Sequence, residues 1–111
     1  MTPNEIYQKL LQAGQTWAEL DGSARLLEET RKTLLSQLSM EYIKKGESSA
    51  KAECQAMASA DYDLHIRSMV DARTEANNAR ARLDAAKAWF DAWRTQESSK
   101  RAEMKMGGAV T

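Results

Sequence analysis

The sequence predicts an all-α fold: a long antiparallel helical hairpin of coiled-coil type with a short corner helix, self-associating into a helical bundle. Three observations carry this. Apolar residues recur in three-four alternation at Ile6, Leu10, Ala13, Trp17, Leu20, Ala24 and Leu27 and, past Arg31, at Leu34 and Leu38. That is the a/d seam of a coiled coil rather than the wider stripe of a compact globular helix. The same spacing returns at Tyr62, His65, Met69, Ala72, Ala76, Ala79, Leu83, Ala86, Phe90 and Trp93, so two helices carry matching ribbons. Finally, the only proline stands at position 3, and Gly46 is the only glycine between Gly22 and Gly107, which leaves little to interrupt a helix in between.

Thr2-Pro3-Asn4-Glu5 is a helix start: Thr2 can cap, Pro3 suits the first helical position and Glu5 completes a capping box. This first helix is expected over 3–45, ending where Lys44 and Lys45 meet the negative end of the helix dipole and Gly46 accepts a left-handed conformation. Gly14 and Gly22 weaken its first half by about 1 kcal/mol each relative to alanine, and Asp21-Gly22 is where it could bend. Glu47-Ser48-Ser49 connects to a short helix over 50–58, read with Ala50, Cys54 and Met57 on its inner side. Ser59 is the candidate N-cap of a third helix, over 60–104, with Asp61 and Asp63 in its positive first turn. Residues 1–106 form one domain in this reading and 107–111 a flexible tail. At 1.5 Å per residue each long helix spans roughly 65 Å, so the monomer is a thin hairpin.

The chain has 111 residues, 42% hydrophobic and 29% charged, with 16 basic and 16 acidic side chains and no formal net charge. No global positive field therefore draws it to nucleic acid or anionic lipid, and any such contact needs a local patch. One cysteine, Cys54, excludes an internal disulfide, and with His65 as the only histidine a zinc site lacks ligands. No apolar run suits a bilayer and no secretory signal is recognisable, so a cytoplasmic protein is expected.

On the third helix Arg73, Arg80, Lys87, Arg94 and Arg101 follow each d position. In an antiparallel hairpin this basic row faces Asp21 and Glu28 of the first helix. Tracking of a phosphate backbone is the competing reading. Leu11, Leu26, Leu35, Met40, Ile43, Ile66, Val70 and Trp89 lie off both seams; one hairpin cannot cover them, so a homo-oligomer, most simply a dimer of hairpins, is expected. The alanines at 72, 76, 79 and 86 permit close backbone approach, while Trp17, Phe90 and Trp93 supply thick layers near the far end.

His65 follows Asp61 by one turn, the spacing of a base or ligand pair, but no second histidine, phosphate loop or activated nucleophile accompanies it. A half-buried structural role is the better reading, and no catalytic, cofactor-binding or metal residue is assigned. The segment exceeding what a hairpin needs is the C-terminal one, where Trp89, Phe90 and Trp93 precede Arg94, Lys100, Arg101 and Lys105. Plain packing within the bundle is the bland reading of this segment; beyond it, aromatic residues beside cations form protein hot spots and also stack on single-stranded nucleic acid. With zero net charge and Glu97 and Glu103 interrupting the patch, a protein partner is favoured, single-stranded nucleic acid being the second choice.

His65-Ile66-Arg67, the run from Ala72 to Arg80, Trp93 to Ser98, Arg101 to Met104 and the patch Leu27 to Lys32 resemble small helical proteins of tailed bacteriophages, mostly without an assigned activity, that are encoded near replication and recombination genes. The likeness covers the last half of the chain and one patch of the first helix. Where those proteins often show Ser-Pro-Glu-Tyr, this chain has Ser59-Ala60-Asp61-Tyr62. The resemblance implies a non-enzymatic accessory or adaptor in DNA replication or recombination, working in the bacterial host cytoplasm beside single-strand-annealing or single-strand-binding proteins. An inhibitor of a host protein or defence complex, and a virion assembly chaperone, are the alternatives. Secreted hairpins of similar length carry a Trp-x-Gly turn, whereas the turn here is Lys45-Gly46-Glu47.

Overall fold

A side-chain hydroxyl starts each helix. Thr2 Oγ1 accepts from the Glu5 amide at 3.2 Å while the Glu5 carboxylate accepts from the Thr2 amide at 3.1 Å, closing the capping box ahead of α1 (Pro3–Lys44). Ser48 accepts from the Lys51 amide ahead of α2 (Ser49–Met57), and Ser59 Oγ accepts from the Tyr62 amide at 3.2 Å ahead of α3 (Ala60–Val110). The computed structural model describes residues 2–110, with side chains through Gly107. α1 ends in a Schellman turn: the Gly46 amide donates to the Ile43 carbonyl, the Glu47 amide to that of Tyr42, and Gly46 has φ +99°.

α1 and α3 pack antiparallel along the two seams, all of whose positions are buried or half-buried. Small residues dominate the deepest layer. Ala24, Ala52, Ala56 and Ala76 have no exposed surface and Ala79 almost none, whereas among the described residues no large side chain is fully enclosed. The helices thus approach closely along an alanine spine, with Ile6, Leu38, Tyr62 and Leu83 closing over it from the seam. A hydrophobic cluster lies at the corner, where Leu38, Ala56 and Tyr62 meet Leu34, Leu35, Tyr42 and Ile66 from all three helices.

Two expectations are corrected. α2 turns Ala52 and Ala56 inward, while Ala50, Cys54 and Met57 are exposed; the corner is too tight for larger side chains, so its alanines, not its cysteine and methionine, meet α1. The third helix continues past Met104 to Val110, so 107–110 of the expected tail are helical and 111 lies outside the described residues. No proline follows Met104, and glycine, at about 1 kcal/mol relative to alanine, weakens a helix without stopping it.

Of the off-seam apolar residues, Leu35 and Ile66 pack against the corner cluster. Leu11, Leu26, Met40, Ile43, Val70 and Trp89 remain exposed. The molecule measures 93 × 19 × 15 Å, and among the described residues no helix is long and apolar enough to cross a membrane.

α1 is uninterrupted through Asp21-Gly22. A Cβ added at Gly14 or Gly22 meets nothing within 4 Å, so Gly22→Ala is expected to stabilise the chain by about 0.5–1 kcal/mol through lower unfolded-state entropy. Urea unfolding followed by circular dichroism checks this.

Candidate interaction surface

Polar contacts join α1 and α3 across the seam edge. The Arg73 guanidinium donates to Glu28 through Nε at 3.0 Å and Nη2 at 2.7 Å, and to Asp21 through Nη1 at 2.7 Å. One planar fork therefore grips two carboxylates seven residues apart on α1. Arg25 adds a second cation to Asp21 at 2.9 Å. Further along, the Arg80 guanidinium stacks 4.6 Å from the Trp17 ring centre and reaches Asp84 on its own helix.

Two other polar groups are absorbed into the scaffold. His65 Nε2 lies 2.8 Å from the Leu27 carbonyl; a carbonyl only accepts, so Nε2 carries the hydrogen. Arg31, the interruption in the first seam, donates through Nη1 to the Tyr62 hydroxyl at 3.0 Å. Asp61 is exposed. Among the described residues no three His, Cys, Asp or Glu side chains gather as a metal site requires.

The hydrogen bonds from Arg73 hold the Asp21 and Glu28 carboxyls below their ordinary values of 3.8 and 4.5, against the upward push of desolvation. Carboxylates depressed in the folded state contribute stability that is complete above the ordinary values and lost as pH falls through the folded ones. The melting-temperature gap between the wild type and an Asp21→Asn/Glu28→Gln variant is therefore expected to be constant above about pH 5 and to close progressively below pH 4. Thermal melts across pH 2–7 measure it, with ordinary values of 4.5 and 3.8 marking where loss begins.

The seam runs out at the far end. Ile6, Lys9 and Leu10 line a shallow groove of about 220 Å³ with Ala86 and Trp89, so the first turns of α1 lie level with this part of α3. Beyond Trp93, the 17 further residues to Val110 extend about 25 Å at 1.5 Å per residue with no α1 beside them. From Arg94 to Gly107 every residue is exposed except the half-buried Glu97. We call this part of α3 the arm.

At its root Phe90 and Trp93 stack, centroids 6.2 Å apart and planes 22° from parallel, and the Arg94 guanidinium lies 5.7 Å from the Phe90 ring centre and 3.9 Å from Asp91. Lys100 reaches Glu97 at 3.8 Å. Helix geometry divides the six candidate contact residues into two strips. Trp89, Trp93 and Lys100 continue the seam side, while Arg94, Arg101 and Lys105 lie about 100° around the helix. Among the described residues Arg101 and Lys105 have no carboxylate partner.

No known family model matches the chain, and neither a curated protein nor a solved structure is significantly similar to it. Its surface must be read from its own chemistry. Sequence reasoning missed the Arg80–Trp17 stack and the Arg31–Tyr62 bond. Both carried a signal: Arg80 is an e residue beside an aromatic seam layer, and a cation standing in a seam needs an acceptor across it.

Proposed function

We propose that this chain is a non-enzymatic helical adaptor: a hairpin scaffold that displays the arm to a protein partner in phage DNA replication or recombination. The observation that carries the reading is the arm, a continuous helix that leaves its intramolecular partner at Trp93 and presents Arg94, Lys100, Arg101, Lys105 and the exposed Met104 to solvent. Building and holding such a helix costs conformational entropy without contributing to the hairpin's core, as expected of a segment kept for contacts. The setting in replication or recombination rests on the resemblance to phage proteins, which includes the arm segments Trp93 to Ser98 and Arg101 to Met104.

Self-association belongs to the same proposal. Leu11, Leu26, Met40, Ile43, Val70 and Trp89 are exposed, and a second hairpin packed about a twofold axis covers faces of this kind. Two copies then display two arms, which raises avidity without any new contact. Light scattering coupled to size exclusion is expected to report a dimer; a monomer at all concentrations contradicts this part.

The test of function is binding between the tagged full chain and the purified single-strand-binding and single-strand-annealing proteins of the same genome. Binding to one of them that is lost with Trp93→Ala or Arg94→Glu/Arg101→Glu is the expected result. Failure of both proteins to bind, or binding indifferent to these substitutions, overturns it.

A further inference from the structure

Resting on the adaptor reading, we infer that the arm's partner is an acidic amphipathic helix, which continues the path of α1 along α3 with carboxylates at the positions flanking its apolar seam. The apolar seam runs out at Trp93, but the heptad frame of α3 does not: its next a and d positions are Glu97, Lys100 and Met104, of which Met104 is apolar. The interface between α1 and α3 thus has an unfilled extension on the same face of the same helix. What belongs there follows from how the filled part is built. In the hairpin, e positions face e positions, and Arg73 meets the e-position carboxylates Asp21 and Glu28 of the antiparallel helix at 2.7–3.0 Å. Arg94 and Arg101 occupy the equivalent positions on the arm, both exposed. A helix laid antiparallel along the arm brings its own e residues against them, so carboxylates there reproduce the Arg73 fork and lysines there repel.

The arm of a second copy is a poor occupant by the same geometry. Pairing two arms antiparallel with Trp93 of each over Met104 of the other sets Glu97 opposite Lys100, but it also sets Arg94 opposite Arg101 twice along the edge where e positions meet. It further drives the last turns of each arm into the place held by the other's α1 N-terminus. Two like-charge pairs along one edge oppose this pairing, and an acidic partner relieves them.

The experiment uses the full chain and two fluorescein-labelled peptides of about three heptads, both with leucine at a and d, one with glutamate and the other with lysine at e. Anisotropy titration at low salt is expected to show the acidic peptide binding roughly tenfold or more tightly than the basic one. Arg94→Glu/Arg101→Glu, at exposed positions where helicity should be kept, is expected to reverse that preference. Equal binding of the two peptides, or a preference unchanged by the double reversal, overturns the inference. So does a competing single-stranded oligonucleotide that displaces the acidic peptide from the wild type alone, since it makes the strip a phosphate-binding row. Concentration-dependent association of the chain that Arg101→Glu strengthens and Trp93→Ala abolishes overturns it in favour of a second copy. Acidic-peptide selectivity without binding to either replication protein rejects the recombination setting and leaves this inference standing; replication-protein binding without charge selectivity does the reverse.

Discussion

Leu38→Asp is expected to destabilise the chain by about 4 kcal/mol or more and to release the corner, because an unpaired carboxylate in an apolar cluster has no compensating partner. Leu38 is only 7% exposed and joins all three helices through Ala56, Tyr62, Leu34, Leu35, Tyr42 and Ile66. The milder Leu38→Ala leaves a cavity and is expected to cost about 2–4 kcal/mol. Cys54→Asp, on the exposed side of α2, is the matched control, expected to change stability by under about 0.5 kcal/mol. Urea titrations of the three variants separate the outcomes. If Cys54→Asp were as damaging as Leu38→Asp, the inward face of α2 would have to be reassigned.

Arg73→Glu is expected to lower the melting temperature far more than Arg67→Glu. Arg73 ties α3 to two carboxylates on α1, whereas Arg67 pairs only with Asp63 on its own helix at 2.9 Å and is 76% exposed. The reversal gathers three carboxylates where one guanidinium had joined two, and exposed pairs one turn apart contribute little. Asp21→Lys/Glu28→Lys introduced together with Arg73→Glu restores opposite signs and is expected to recover most of the lost melting temperature. Without that recovery, the fork is not what sets the register.

The seams were legible because one physical rule governs them: apolar side chains three and four residues apart share a helix face, and 42 residues of α1 repeat that signal many times. The Arg73 fork follows from the same heptad frame, which sets the basic row of the third helix across from Asp21 and Glu28. The face of α2 was not legible. In nine residues a helix makes too few turns to average its pattern, and the spacing of Ala50, Cys54 and Met57 suggests an inner face where the close approach of helices admits only Ala52 and Ala56. The unpaired arm was hidden for another reason. Nothing in the spacing after Trp93 shows where α1 begins beside it; that depends on the length of the corner and hence on the register between helices.

An alanine spine with no large side chain fully buried among the described residues gives the hairpin little apolar area per residue, and stability should fall away from the corner cluster towards the far end. The arm, whose described residues are exposed except for the half-buried Glu97, then marks the low end of that gradient and is the segment with most to gain in order from binding.

Hydrogen exchange of the full chain, resolved by peptide mass spectrometry with and without the acidic heptad peptide, tests the central claim most directly. The account predicts strong protection from Tyr62 to about Phe90, rapid exchange from Thr95 to Met106 in the free protein, and slowing confined to the arm when the peptide binds. Uniform protection of α3 through Met106 in the free protein, or slowing that falls on α1 instead of the arm, would contradict it.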